Sequence, residues 1–249
     1  MTQTSSMRTT GPASQQGGAM LNVSWERLWR ASGIVFVAMF IIAYLVYGDQ
    51  PKMGASTDEL ISFYDSDRWR ILIASVVFGG AVLFLLWFAA AIASTLRDAG
   101  QGGWGAAATA SSAALAAVFF VLISLTAGLT YSIAGSGNDA ITSGLNDLAR
   151  ALPVMASFPA AMLIMAGTLG LWRAGVVSDT FAVAGLLAVA LVLLGGTTWA
   201  SDGIWAPGGV YSRVSPMVTL VWVTAVSGLL YLRSPSRARL PERAAIHVP

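Results

Sequence analysis

From Ile71 through Leu96 the chain carries no charged side chain, and Val, Leu, Phe and Ala fill most of the run. At about 1.5 Å per residue these 26 residues reach about 39 Å as a helix, more than the roughly 30 Å hydrocarbon core of a bilayer. A helix in a soluble core has no use for so long an apolar surface. The segment reads as a membrane span, and its surplus length implies tilt or an end that projects into the interface. Composition extends the reading to the whole chain. Of 249 residues, 56% are hydrophobic and 10% charged, against about 25% charged in ordinary soluble domains.

The same reasoning predicts an all-α membrane protein, a bundle of six transmembrane helices with spans at about 31–47, 71–96, 105–133, 151–172, 181–200 and 216–232. Residues 1–24 are Ser-, Thr-, Gln- and Gly-rich and predict a flexible tail. The apolar run begins only near residue 31, with no small-residue cleavage site after it, so a signal peptide is not expected. Residues 234–249 form a second, basic tail. Within 48–70, Ser56 stands three residues before Glu59, a capping-box pattern that opens a short helix. Leu60, Ile61, Phe63 and Tyr64 give that helix an apolar side, so it is expected to lie on the membrane surface. In 134–150 a further short helix is expected, with Ile141, Leu145 and Leu148 on its apolar face. Pro153 is placed in the first turn of the fourth span, and Pro159 is expected to kink it.

Orientation follows from the basic residues. With six spans, both tails and the turns 97–104 and 173–180 share one side, which holds nine of the 14 Lys and Arg residues, and the other side holds five. The positive-inside rule then predicts a multi-pass inner-membrane protein with both termini cytoplasmic. The three outer loops have 23, 17 and 15 residues, and the inner turns eight each.

Several chemistries lack their residues. Cys is absent and the one His is His247, so thiolate chemistry and a His-held haem or zinc in the membrane are not available. The lone Lys, Lys52, lies outside any phosphate-binding loop motif. No ionisable residue falls inside a predicted span, which argues against a proton relay. A net charge of +2 gives no reason to expect nucleic acid. No cofactor and no metal site are expected.

Two features remain. Gly79 with Gly80, Gly167 with Gly170, Gly195 with Gly196, and Gly228 suit either close helix packing through small residues, as favoured for Gly79 and Gly80, or broken helices around a substrate. Pro159 makes the fourth span the best candidate for a break. Intramembrane hydroxyls are expected to bond back to their own helix or bridge helices. The second feature is that each outer loop delivers an arginine just before the next span: Arg70, Arg150 and Arg213. Together they could receive an anionic headgroup or solute. Alternatively they anchor helix ends and pair with Asp65, Asp67, Asp147 or Asp202.

The segments STDELISFYDSDRWR, ASTLRDAG and SDGIWAPGGVYS, in that order, resemble uncharacterised six-span integral membrane proteins of high-GC bacteria. The resemblance spans about 25–233 and implies the same architecture, without a catalytic assignment. The first functional expectation is a non-enzymatic structural or regulatory protein that contacts membrane lipid, a membrane-protein partner or a second copy of itself. A small permease for a neutral or anionic compound is the alternative, and a membrane enzyme comes third.

Overall fold

The computed structural model describes residues 29–48 and 50–233; both predicted tails lie outside them. Among the described residues every regular element is helical: α1 (Ser32–Tyr47), α2 (Thr57–Ser66), α3 (Arg68–Asp98), α4 (Gly102–Gly128), α5 (Asp139–Arg173), α6 (Asp179–Gly195) and α7 (Val210–Leu232). A π-helical turn, Leu129–Ile133, continues α4, and a 3₁₀ turn, Gly203–Trp205, precedes α7. Four helices, α3, α4 with its π turn, α5 and α7, are long and apolar enough to cross a membrane, which marks the chain as a membrane protein. Helices α1 and α6 are apolar too but only 16 and 17 residues long.

The helices close into a ring. In order around it, α1 packs on α3, α3 on α4, α4 on α5, and α5 on both α6 and α7, while α7 returns to α1. Because α5 and α7 also touch each other, α6 sits outside that contact. The inner circle is therefore α1, α3, α4, α5 and α7. Many large apolar side chains face outward, among them Leu45, Val76, Leu187 and Val221, as a lipid solvent permits.

The two ends of the bundle are built differently. At one end, two short turns join α3 to α4 and α5 to α6. Both stop their helix in the same way: Gly100 and Gly175 take positive φ (73° and 67°). The next residues, Gln101 and Val176, then donate N–H to Leu96 and Leu171 carbonyls at 2.7 and 2.9 Å. These are paired left-handed helix caps. At the opposite end the three long connections gather; we call these the turn end and the loop end.

Several boundaries and faces differ from the sequence reading. Helix α5 begins at Asp139, where Asn138 accepts the Ile141 N–H at 3.3 Å. Pro153 therefore lies well inside the helix rather than in its first turn, and the helix is unbroken through both Pro153 and Pro159. Of the expected apolar face of 139–150, Leu145 packs inward against the cluster of Leu60 and Tyr64, but Ile141 and Leu148 turn outward. Ile141 and Leu148 are exposed, and Thr142, Asn146 and Ala149 are buried. In lipid, apolar groups can face outward and polar ones must find protein partners, so the amphipathic pattern is inverted. Helix α2 is capped as expected, Ser56 Oγ accepting the Glu59 N–H at 3.3 Å. Its Leu60 and Tyr64 are buried against Ile71 and Leu129 rather than turned to the membrane surface.

Candidate functional site: a cationic mouth over an apolar cavity

The loop end is held together by one face of α5. Residues 50–55, which lead from α1 towards α2, form a strap across the end of the bundle. Asn146 Nδ2 donates to the Lys52 carbonyl at 3.4 Å, and Asn146 Oδ1 accepts the Tyr64 hydroxyl at 3.1 Å. Burial pushes the Tyr64 phenol further into its neutral, donating range. Asp147 Oδ1 accepts the Gly54 N–H at 3.0 Å. Arg150 donates to Gln50 Oε1 and to the Pro51 carbonyl. Asn146, Asp147 and Arg150 thus share one task, holding the strap through its Lys52 and Pro51 carbonyls, its Gly54 N–H and the Gln50 side chain.

Under the strap lies a cavity of about 460 Å³, within the roughly 300–1,000 Å³ usual for small-molecule sites. The inner circle of helices lines it, and α6 contributes no lining residue. Deep in the cavity the wall is apolar. Phe40, Phe78 and Phe119, one each from α1, α3 and α4, pack with ring centroids 5.1–6.3 Å apart. Phe36, Leu115, Ala160 and Leu220 continue the apolar surface. Nearer the mouth the wall becomes polar, with Tyr44, Tyr47, Gln50, Lys52, Asn146, Arg150 and Arg213. Among the described residues that line it there are three cations and no Asp or Glu.

Prolines shape this rim. Pro153 and Pro216 both line the cavity, each three residues after a cavity arginine, Arg150 and Arg213. A proline has no N–H to give the carbonyl four residues earlier, so the Ala149 and Ser212 carbonyls, both on lining residues, lose their usual helical donor. One turn further in, the Ser157 and Ser215 hydroxyls lie 3.2 Å apart and tie α5 to α7.

The three predicted arginines separate. Arg150 and Arg213 both line the mouth of the cavity. Arg70 is not among the cavity's lining residues. It is ion-paired with Asp67 at 2.5 Å, with both side chains partly exposed. That pairing fits the anchoring alternative for Arg70. For Arg150 the expected acidic partner is replaced: Asp147 holds Gly54, and Arg150 bonds to two neutral oxygens. Arg213 has no hydrogen-bond or ion-pair partner among the described residues.

Of the two packing glycines, Gly80 meets a neighbour: a Cβ there would come 2.8 Å from Met39 Cε, the flexible end of a side chain. At Gly79 a Cβ would meet nothing within 4 Å, so this position makes no close approach within the chain. The tight contacts fall on other glycines. A Cβ at Gly167 would lie 2.5 Å from the Trp222 ring, and one at Gly170 2.7 Å from Leu96. The hydroxyls behave as expected: Thr95, Ser124, Thr126 and Thr130 bond to carbonyls of their own helix, and Thr168 accepts the Trp222 indole N–H at 2.9 Å.

Sequence reasoning missed the cavity itself and Asn146. The available signal was the polar series Thr142, Asn146, Arg150 on the face of α5 opposite Ile141 and Leu148. No group of His, Cys, Asp and Glu among the described residues could hold a metal ion. No family of known proteins, no curated protein and no solved structure matches this chain.

Proposed function

We propose that the protein is a six-span, multi-pass membrane protein that binds a lipid-like molecule in the cavity among its helices, without catalysing a reaction on it. The observation that carries this reading is the apolar, helix-lined cavity of about 460 Å³ capped by a cationic mouth. Helices α1 and α6 count as spans here because α1 closes the ring between α7 and α3, and α6 packs along both α5 and α7. The excess of basic residues on the tail side puts the mouth on the extracytoplasmic face. Reporter fusions at residues 55, 140 and 205 are then expected to be active only with an extracytoplasmic reporter, and fusions at 101, 176 and 245 only with a cytoplasmic one. A reversed result at any site overturns the topology.

Occupancy is tested by filling the space. Ala160 lines the cavity and is 6% exposed, so Ala160→Phe puts a ring where a ligand chain would lie. Delipidated protein in a neutral detergent should give a saturable fluorescence rise with the apolar probe N-phenyl-1-naphthylamine. The variant should lose that rise while staying monodisperse. A rise that never saturates, as in empty micelles, removes the cavity from consideration.

A permease is the second reading, and the prolines inside α5 and α7 favour it. Such residues interrupt the helix ladder beside the cavity and give it hinge positions. Ligand movement across proteoliposomes separates carrier from receptor.

A further inference from the structure

The cavity's chemistry also narrows what occupies it, and this step rests on the binding function just stated. We propose that the ligand is an amphiphile with an acidic head, a carboxylate or phosphate, gripped between Arg213 and Arg150 while its apolar chain runs down past Phe40, Phe78 and Phe119.

Charge makes the first half of the argument. Arg150 and Arg213 both line the mouth, with Lys52 beside them, and no acidic residue lines the cavity among the described residues. Asp147, the carboxylate nearest in sequence to Arg150, bonds to Gly54. The oxygens that Arg150 does bond, from Gln50 and Pro51, carry no charge. Two guanidinium groups lining one mouth raise the positive potential there and favour an anion. A guanidinium also presents a planar fork matched to carboxylate or phosphate oxygens. Arg213 has all its donors available among the described residues, so it makes the primary grip, and Arg150 adds charge while holding the strap.

Shape makes the second half. A small soluble anion would satisfy the mouth and leave the aromatic depth in contact with water. A neutral apolar molecule would fill the depth and leave the cations uncompensated. Only a molecule with both parts answers both surfaces. The lining residues on α5 run from Asn146 to Ala160, about 21 Å along the axis at about 1.5 Å per residue. That is a slot for one extended chain.

Two sources share this chemistry: a free single-chain acid, and one chain of an anionic bilayer lipid. Binding to the full-length protein in dodecyl maltoside would be measured by scintillation proximity with labelled oleate and labelled oleyl alcohol. Unlabelled dioleoyl phosphatidylglycerol and dioleoyl phosphatidylcholine serve as competitors. Oleate is expected to bind at least tenfold more tightly than the alcohol. Arg213→Gln should remove that preference by weakening oleate binding, and Arg213→Lys should restore part of it. Competition by phosphatidylglycerol but not phosphatidylcholine upholds the acidic head and identifies a bilayer lipid as its source. Competition by neither upholds the single-chain acid. Equal binding of oleate and oleyl alcohol to the parent protein overturns the acidic head while leaving the cavity function standing, and needs no variant to fold. Binding of neither ligand overturns the cavity function itself.

Discussion

The turn end and the loop end of this bundle draw on the same residue types and reach opposite results. At the turn end, Gly100 and Gly175 provide positive φ in the turns, and glycines within the helices are spent on contact: Gly170 sits against Leu96 and Trp104, and Gly33 against Phe88 and Ser227. The arginine there is absorbed by an aromatic ring, the Arg173 guanidinium lying 5.5 Å from the Trp104 centroid. Trp172 donates to Asp179 at 2.7 Å across the turn. At the loop end the glycines of the long connections, Gly54, Gly135, Gly137 and Gly208, provide positive φ instead of close packing. Two arginines there, Arg150 and Arg213, line a space and have no acidic partner among the described residues. A short turn forces two helices together along their length, so small residues between them are filled by neighbours. A long connection lets the helix ends splay, and polar side chains must then reach across the gap to hold the chain. Closure gives stability, and splaying gives a binding site.

The largest expected effect breaks the closed part. Gly167→Leu drives a side chain into the Trp222 ring, which already lies 2.5 Å from the position of a Cβ. Trp222 is 4% exposed and hydrogen-bonded to Thr168, so it has little room to give way. The cost should sit at the top of the about 1–3 kcal/mol typical of overpacking, or above it. Gly79→Leu on α3 is the control. With nothing within 4 Å of its Cβ, it should leave the melting temperature of the detergent-solubilised protein unchanged. Equal losses from the two variants would mean that packing is uniform along the bundle, and the contrast would be lost.

A smaller effect should sharpen the open end. Asn146→Ala removes the partner of both the Tyr64 hydroxyl and the Lys52 carbonyl. Leaving a buried polar group unpaired costs about 1–3 kcal/mol, but here the loss should be local. Hydrogen exchange is expected to quicken over 50–64 while residues 96–104 and 171–179 keep their protection. Faster exchange at both ends would show that the strap belongs to the global fold and not to the mouth.

How much of this could be read in the residues depends on which solvent does the sorting. Length and apolarity identified α3, α4, α5 and α7 because they obey bilayer thickness, and the cap at Ser56 is local chemistry that any chain would show. Periodicity misled at 139–150, because Ile141 and Leu148 mark the inner face only where water lies outside. Once lipid is the outer phase, Thr142 and Asn146 mark it. The pairing of Arg150 with Gln50 and Pro51 spans about a hundred positions, and nothing local encodes it. Gly79 and Gly80 looked equivalent in the sequence. Neighbours that are distant in the chain decide which of them touches anything.

The smallest effect concerns the arginine left out of the site. Arg70 and Arg213 both follow a long connection, and both are exposed. Arg70 also lies near the mouth, since a Cβ on Gly48, a cavity-lining residue, would be 3.3 Å from its guanidinium. What separates the two is the counter-ion: Asp67 neutralises Arg70, and nothing among the described residues does so for Arg213. Removing that neutralisation should therefore recruit Arg70 to the mouth. Asp67→Asn is expected to tighten oleate binding by about twofold, because exposed ion pairs are worth only about 0.2–1 kcal/mol. Melting temperature should hardly move. Raising the salt concentration should erase the gain, since exposed charges are screened. If oleate binding weakens in Asp67→Asn, Asp67 contributes to the mouth rather than shielding it, and the division of the three arginines by counter-ion is wrong.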